Sequence, residues 1–131
     1  MKYVATLLAI ILVILVLDVI WLKFVMGAVF KRELGDIALP TPRLTPAAIF
    51  YVMYSVGILM FVVIPTATAP WHMALAMGAL LGLIAYGTYD LTNMATLKPW
   101  TWTLAGLDMA WGILVTAVSA AAGRKALLMF A

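Results

Sequence analysis

The sequence predicts an all-α fold: a four-transmembrane-helix bundle with both termini on the same side. Three observations carry this. Of 131 residues, 67% are hydrophobic and 10% charged, against roughly 45–50% and about 25% in a soluble domain. The apolar residues gather into four runs, each near the length of about 20 residues that a helix needs to cross a bilayer. Prolines and most charges fall between the runs, where helices stop. One integral membrane domain over residues 1–131 accounts for the whole length. The chain has no cysteine, which excludes disulfides, thiolate metal sites and thiol catalysis. Its single histidine, His72, excludes a multi-histidine metal site. No zinc-type site and no resident metal or cofactor is expected. The net charge of +3 sits at helix ends. No basic stripe interleaves with aromatics, so the expected partners are membrane lipids and not nucleic acid.

Helix one is expected over about residues 3–24, an unbroken Leu/Ile/Val run. A signal peptide is the competing reading. The run is long for one, and Asp18 and Trp21 follow in place of a small-residue cleavage site. Residues 25–45 read as the one sizeable extramembrane segment, with a charged amphipathic turn over Val29–Leu34 lying on the headgroups. Helix two is expected over 46–64, with Pro46 in its first turn and Thr45 as N-cap. Pro65–Pro70 forms an uncharged turn, and Trp71 and His72 sit at the interface, where amphipathic rings are favoured. Helix three is expected over 73–97, ended by Lys98-Pro99. Its Gly78-xxx-Gly82 pattern lets another helix approach closely, within the chain or in a homo-oligomer. Helix four is expected over 101–122, opened by the Trp100-Thr101-Trp102 belt and followed by Arg124-Lys125. Five basic residues (Lys23, Lys31, Arg32, Arg43 and Lys98) lie on the side of the 25–45 loop, against Lys2, Arg124 and Lys125 on the other. The imbalance favours a cytoplasmic loop.

Into these runs the sequence sets Asp18, Asp90 and Asp108. A charged aspartate at the centre of a spanning helix costs roughly 2.5–3.5 kcal/mol on insertion scales, so each is a functional-site hypothesis. Counted back from Lys23, Lys98 and Trp100 at 1.5 Å per residue, all three lie roughly 8–12 Å below the same surface. Tyr51, Tyr54 and Ser55 fall in the same half. On helix three, Gly78, Gly82, Tyr86, Tyr89, Asp90 and Asn93 share an arc of about 120°. On helix four, Thr101, Asp108, Gly112, Val115 and Ser119 share a stripe with Trp111 beside it. Leu17-Asp18-x-x-Trp21 is echoed by Leu107-Asp108-x-x-Trp111, and the i, i+3 spacing sets each indole one turn from its carboxylate. Polar arcs face inward in a bundle, because lipid cannot satisfy their hydrogen bonds. The expected pocket has Asp18, Asp90, Asn93 and Asp108 as its floor and Trp21, Tyr51, Tyr86 and Trp111 as its walls.

The Asp-x-x-Trp-Leu of helix one, Phe50-Tyr51-x-x-Tyr54, Tyr89-Asp-Leu-Thr-Asn93 with Ala95-Thr-Leu-Lys98, and Asp108-x-x-Trp111-Gly112 resemble a family of small bacterial membrane proteins classed as a domain of unknown function. The resemblance covers essentially the whole chain. It implies a four-helix protein of the bacterial inner membrane and supplies no established activity. Three functions suit the residues. The first is binding of a small molecule, lipid headgroup or cation, alone or as a transport or lipid-metabolism accessory. Acids with Tyr and Trp suit an amine, and oxygen ligands suit a hard cation or protons. The second is a membrane-embedded lipid-modifying enzyme with the clustered aspartates as acid and base. The third is a purely structural polar core.

Overall fold

The computed structural model describes all residues, 1–131. Its helices are α1 (Lys2–Ile37), α2 (Leu44–Val63), α3 (Trp71–Thr96) and α4 (Trp102–Phe130), each long and apolar enough to cross a membrane. There are no strands.

Two helices outrun their expected ends. Helix α1 continues past residue 24 as an α-helix over Gly27–Leu34 and a 3-10 turn over Gly35–Ile37. The Val29–Leu34 stretch is thus helical and continuous with the first span, not a separate turn. No residue between Phe24 and Leu34 forbids helix. The stop comes at Gly35, the one residue with positive φ (58°), preceded by Lys31 and Arg32 in the last turn. Glycine after basic residues is a common helix ending, since it adopts the left-handed region without penalty and cations favour the C-terminal dipole. Helix α4 runs through Arg124-Lys125 to Phe130, because that alanine-rich stretch contains no breaker. Helix α2 starts at Leu44 with Arg43 in the N-cap position, so Thr45 does not cap it, although Pro46 does fall in its first turn. The expected 73–97 and 101–122 begin within two residues of the observed starts, and Thr101 Oγ1 caps α4 by accepting from Leu104 N at 3.2 Å.

Helices α3 and α4 form the tightest pair, and glycine is the reason. A Cβ on Gly82 would run into the Gly112 backbone, and one on Gly78 would lie 2.9 Å from Ala117 Cα. In lipid, close backbone approach through small residues is what holds helices together. The Gly78-xxx-Gly82 face is covered by α4 of the same chain, which leaves no open glycine face there for a second copy. A first apolar cluster of Ile10, Ile14, Ile58, Val62, Val63, Val115 and Leu127 fills one end of the bundle, with α4 at its centre. A second, of Met26, Val29, Trp100, Leu104 and Ala105, fills the other end, where the extension of α1 packs over the α3–α4 connection.

At the first end, Arg124 Nε donates to Thr66 O at 3.1 Å and its Nη2 to Ala69 O at 2.6 Å. Both are carbonyls of the α2–α3 turn; Thr66 O also accepts from Ala69 N at 3.0 Å. The sequence reading left Arg124 as a flanking charge; the fold uses it to close the turn. Arg124→Gln is expected to leave the half-buried Ala69 carbonyl without its donor and to remove one of the two donors on Thr66 O, at about 1–3 kcal/mol. Thermal unfolding should show the loss, and hydrogen exchange should show faster opening over 64–70.

Helix α2 meets α3 around its terminal π-helical segment, Leu59–Val63. From there toward Leu44 the two helices diverge.

Candidate functional site

Between the two apolar clusters lies a half-enclosed cavity of about 380 Å³. All four helices contribute to it. Helix α1 gives Asp18, Trp21, Leu22, Met26 and Phe30, and α2 gives Phe50 and Tyr51. Helix α3 gives Ala85, Tyr86 and Tyr89, and α4 gives Asp108 and Trp111.

The local backbone explains how α1 supplies five of these. Residues Leu22–Met26 form a π-helical segment. Its i→i+5 bonds make a wider turn that takes up an extra residue, a device frequent at functional sites. Without it the apolar side chains beyond Trp21 would drift round the helix; with it, Met26 and Phe30 stay on the face of Asp18.

Asp18 is the best-served acid. Trp111 Nε1 donates to its Oδ1 at 2.6 Å, and Tyr51 Oη donates to its Oδ2 at 2.7 Å. The Trp21 and Trp111 rings stack face to face, with centroids 4.6 Å apart and planes within 1°. The Asp-x-x-Trp echo is therefore real in space, but crossed: the indole on Asp18 comes from α4, not from its own helix. Tyr51→Phe removes one of the two donors. Its expected cost is about 0.6–1.7 kcal/mol, the range of interhelical hydrogen bonds in membranes, read from unfolding in detergent or lipid.

Asp108 lines the same cavity, and Asp90 lies behind it, fully buried at 0% exposure. Neither Asp90 oxygen has a hydrogen-bond partner with good geometry. Asp108 and the buried Trp100 indole are its polar neighbours. No arginine or lysine pairs with any of the three acids; the one ion pair of the chain is the surface contact Arg32–Glu33 at 3.5 Å. The indole N–H of Trp21, at the cavity wall, is likewise buried without an acceptor. No three acidic or imidazole side chains converge in a way that could hold a metal ion.

Of the eight residues expected at the site, Asp18, Trp21, Tyr51, Tyr86, Asp108 and Trp111 line one cavity. Asp90 stands behind its wall. Asn93, one turn further along α3, is half-buried and outside the lining. The sequence reading left Leu22, Met26, Phe30, Phe50, Ala85 and Tyr89 outside the site. Phe50 and Tyr89 had a signal, since each belongs to an aromatic pair one turn apart, Phe50 with Tyr54 and Tyr86 with Tyr89. Met26 and Phe30 had none, because an α-helical projection of α1 points them elsewhere. Below the cavity, Tyr54 Oη and Thr116 Oγ1 share a hydrogen bond of 2.7 Å, and the Tyr54 ring meets Tyr86 edge-on.

Four spanning-length helices around a layer of acids and aromatic rings define a small polytopic membrane protein. The chain belongs to the family described as predicted membrane protein (DUF2177), whose family model matches residues 3–125. No curated protein and no solved structure matches it.

Proposed function

We propose that this protein binds an organic cation, an ammonium group, in the cavity between Asp18, Asp108 and the Trp21–Trp111 stack. One observation carries the reading: Asp18 and Asp90 are buried, Asp108 is half-buried on the cavity beside them, and no basic side chain accompanies the three. Burying an acid in a low-dielectric interior costs several kcal/mol unless a proton or a cation compensates it. A cation held over the faces of Trp and Tyr gains further attraction, about 2 kcal/mol when desolvated. The donor set suits an ammonium better than a metal ion, because the acids do not converge on one point. A purely structural role fits Asp18, whose two oxygens are satisfied within the chain. It fits Asp108 and Asp90 less well, since their polar neighbours are each other and the Trp100 indole, with no basic group to neutralise them.

The test is thermal stabilisation of the purified protein by ethylammonium and tetramethylammonium. Both should raise Tm in wild type and leave Tm unchanged in Asp108→Asn. Equal stabilisation of wild type and variant would contradict the site. For topology, we place the loop of residues 38–43 on the cytoplasmic face of a bacterial inner membrane, on the five-to-three basic imbalance. The absence of cysteine makes this simple to check. A single cysteine at Ala38 should be protected from an impermeant thiol reagent in intact cells and should react after permeabilisation.

A further inference from the structure

The net charge of +3 is not spread over the molecule. On the side of the 38–43 loop, five basic side chains are matched by Asp18, Glu33, Asp36, Asp90 and Asp108, which are all the acidic residues of the chain. The opposite end holds Lys2, Arg124 and Lys125 and no acidic side chain. That end also carries a second cavity, an open groove of about 640 Å³ along the seam of α3 and α4. Trp71 and Leu75 of α3 and Val118, Ala121, Arg124 and Lys125 of α4 line it, and the two basic residues are its only lining that is not hydrophobic. The contacts of Gly78 with Ala117 and Ala120 set the register of this antiparallel pair, which brings Trp71 level with Lys125. Helix α4 rises about 35 Å from Trp102 to Lys125, against a hydrocarbon core of about 30 Å, so Lys125 stands at the headgroups. Val118 lies two turns deeper, about 10 Å along the axis, and is 37% exposed on a spanning helix.

Neither cation of the groove is neutralised by a carboxylate. The chain's one ion pair joins Arg32 to Glu33, and Arg124 is held by backbone carbonyls, which orient its guanidinium without cancelling its charge. Uncompensated cations at the headgroup end of an apolar groove call for an anion that carries an apolar tail. We infer that the α3–α4 groove is a binding site for an anionic phospholipid, with its phosphate at Lys125 and an acyl chain laid over Ala121 toward Val118. Basic side chains at this depth attract anionic headgroups, and the lysine stem reaches along apolar surface while its ammonium stays at the interface. Helix α3 begins at Trp71, so the positive end of its dipole faces the same level. The small side chain of Ala121 leaves room for the chain that a larger residue would fill. A zwitterionic lipid brings its own cation beside the phosphate and gains less from Lys125. This site is separate from the cavity of Asp18 and Asp108, shares no lining residue with it, and is tested apart from it.

The experiment is a titration of the full chain in neutral detergent micelles, read by native mass spectrometry and by Tm. The probes are phosphatidylglycerol, phosphatidylcholine and inorganic phosphate. Phosphatidylglycerol should be retained several-fold more than phosphatidylcholine and should raise Tm. Lys125→Gln should lower its retention about fivefold, the worth of one basic residue at an anionic surface, and Lys125→Arg should keep it. Lys2→Gln removes the same charge from the same end of the molecule outside the groove, and should leave retention unchanged. Ala121→Leu fills the groove without touching a charge and should lower retention as Lys125→Gln does. An equal loss in Lys2→Gln and Lys125→Gln would overturn the site in favour of diffuse attraction to the basic end. Retention that survives both Lys125→Gln and Ala121→Leu, or that is equal for phosphatidylglycerol and phosphatidylcholine, would overturn it outright. Stabilisation by inorganic phosphate equal to that by phosphatidylglycerol would overturn the lipid. A lipid-free dimer that Ala121→Leu dissociates would instead make the groove an interface between two copies of the chain.

Discussion

Gly82→Leu is expected to part α3 from α4 and to leave no stable bundle. A Cβ at this position already meets the Gly112 carbonyl and the Thr116 side chain, and backbone cannot swing aside as a flexible side chain can. Forcing one methyl group into a packed core costs about 1–3 kcal/mol, which sets the scale for Gly82→Ala; the four carbons of leucine exceed what the interface can absorb. Gly106→Ala is the matched control, because nothing lies within 4 Å of its Cβ. There alanine should stabilise the helix slightly, since glycine in a helix interior is about 0.8–1 kcal/mol less favourable. Unfolding of the three variants side by side checks this. The expected order, from least to most stable, is Gly82→Leu, Gly82→Ala, wild type and Gly106→Ala.

Asp18→Leu is expected to have the second largest effect. It strands the Trp111 N–H and the Tyr51 hydroxyl together, the two donors that Asp18 holds in the cavity wall. A buried donor left unsatisfied costs about 1–3 kcal/mol, so the pair costs roughly 2–6 kcal/mol less what relaxation recovers. The Trp21–Trp111 stack should loosen with it, because Trp111 loses the bond that orients its ring. Near-ultraviolet circular dichroism reads the stack directly, and the exciton signal of the paired indoles should fall in Asp18→Leu and persist in Tyr51→Phe. Ligand binding should fail as well, but as a consequence of the disordered wall.

Much of this was legible in the residues. The four spans follow from hydropathy, because lipid permits only structures that satisfy their own backbone. The acid layer follows from counting along helices of fixed rise, and it brought Asp18 and Asp108 into one cavity. What the sequence hid has particular causes. Charge marks a boundary in a hydropathy pattern and so hides the extra turns of α1 and α4, whereas Arg124 uses its charge inside the helix to hold the α2–α3 turn. Helix phase alone puts Asn93 with the site residues, and phase does not say how far along the axis a cavity extends. Met26 and Phe30 were missed because a π turn shifts the phase of everything after it. The crossed pairing of Trp111 with Asp18 depends on how α1 and α4 meet, which no single-helix pattern encodes.

The central claim is that Asp108, with Asp90 buried behind it, is kept for a ligand and not for the fold. Groups placed for function tend to sit at some cost to stability. Unfolding of the ligand-free Asp90→Asn/Asp108→Asn double variant, alongside its binding of ethylammonium, tests this most directly. The account predicts a Tm equal to or above that of wild type, with ethylammonium binding abolished. A double variant that loses stability, or that keeps its stability and still binds ethylammonium as wild type does, would contradict it.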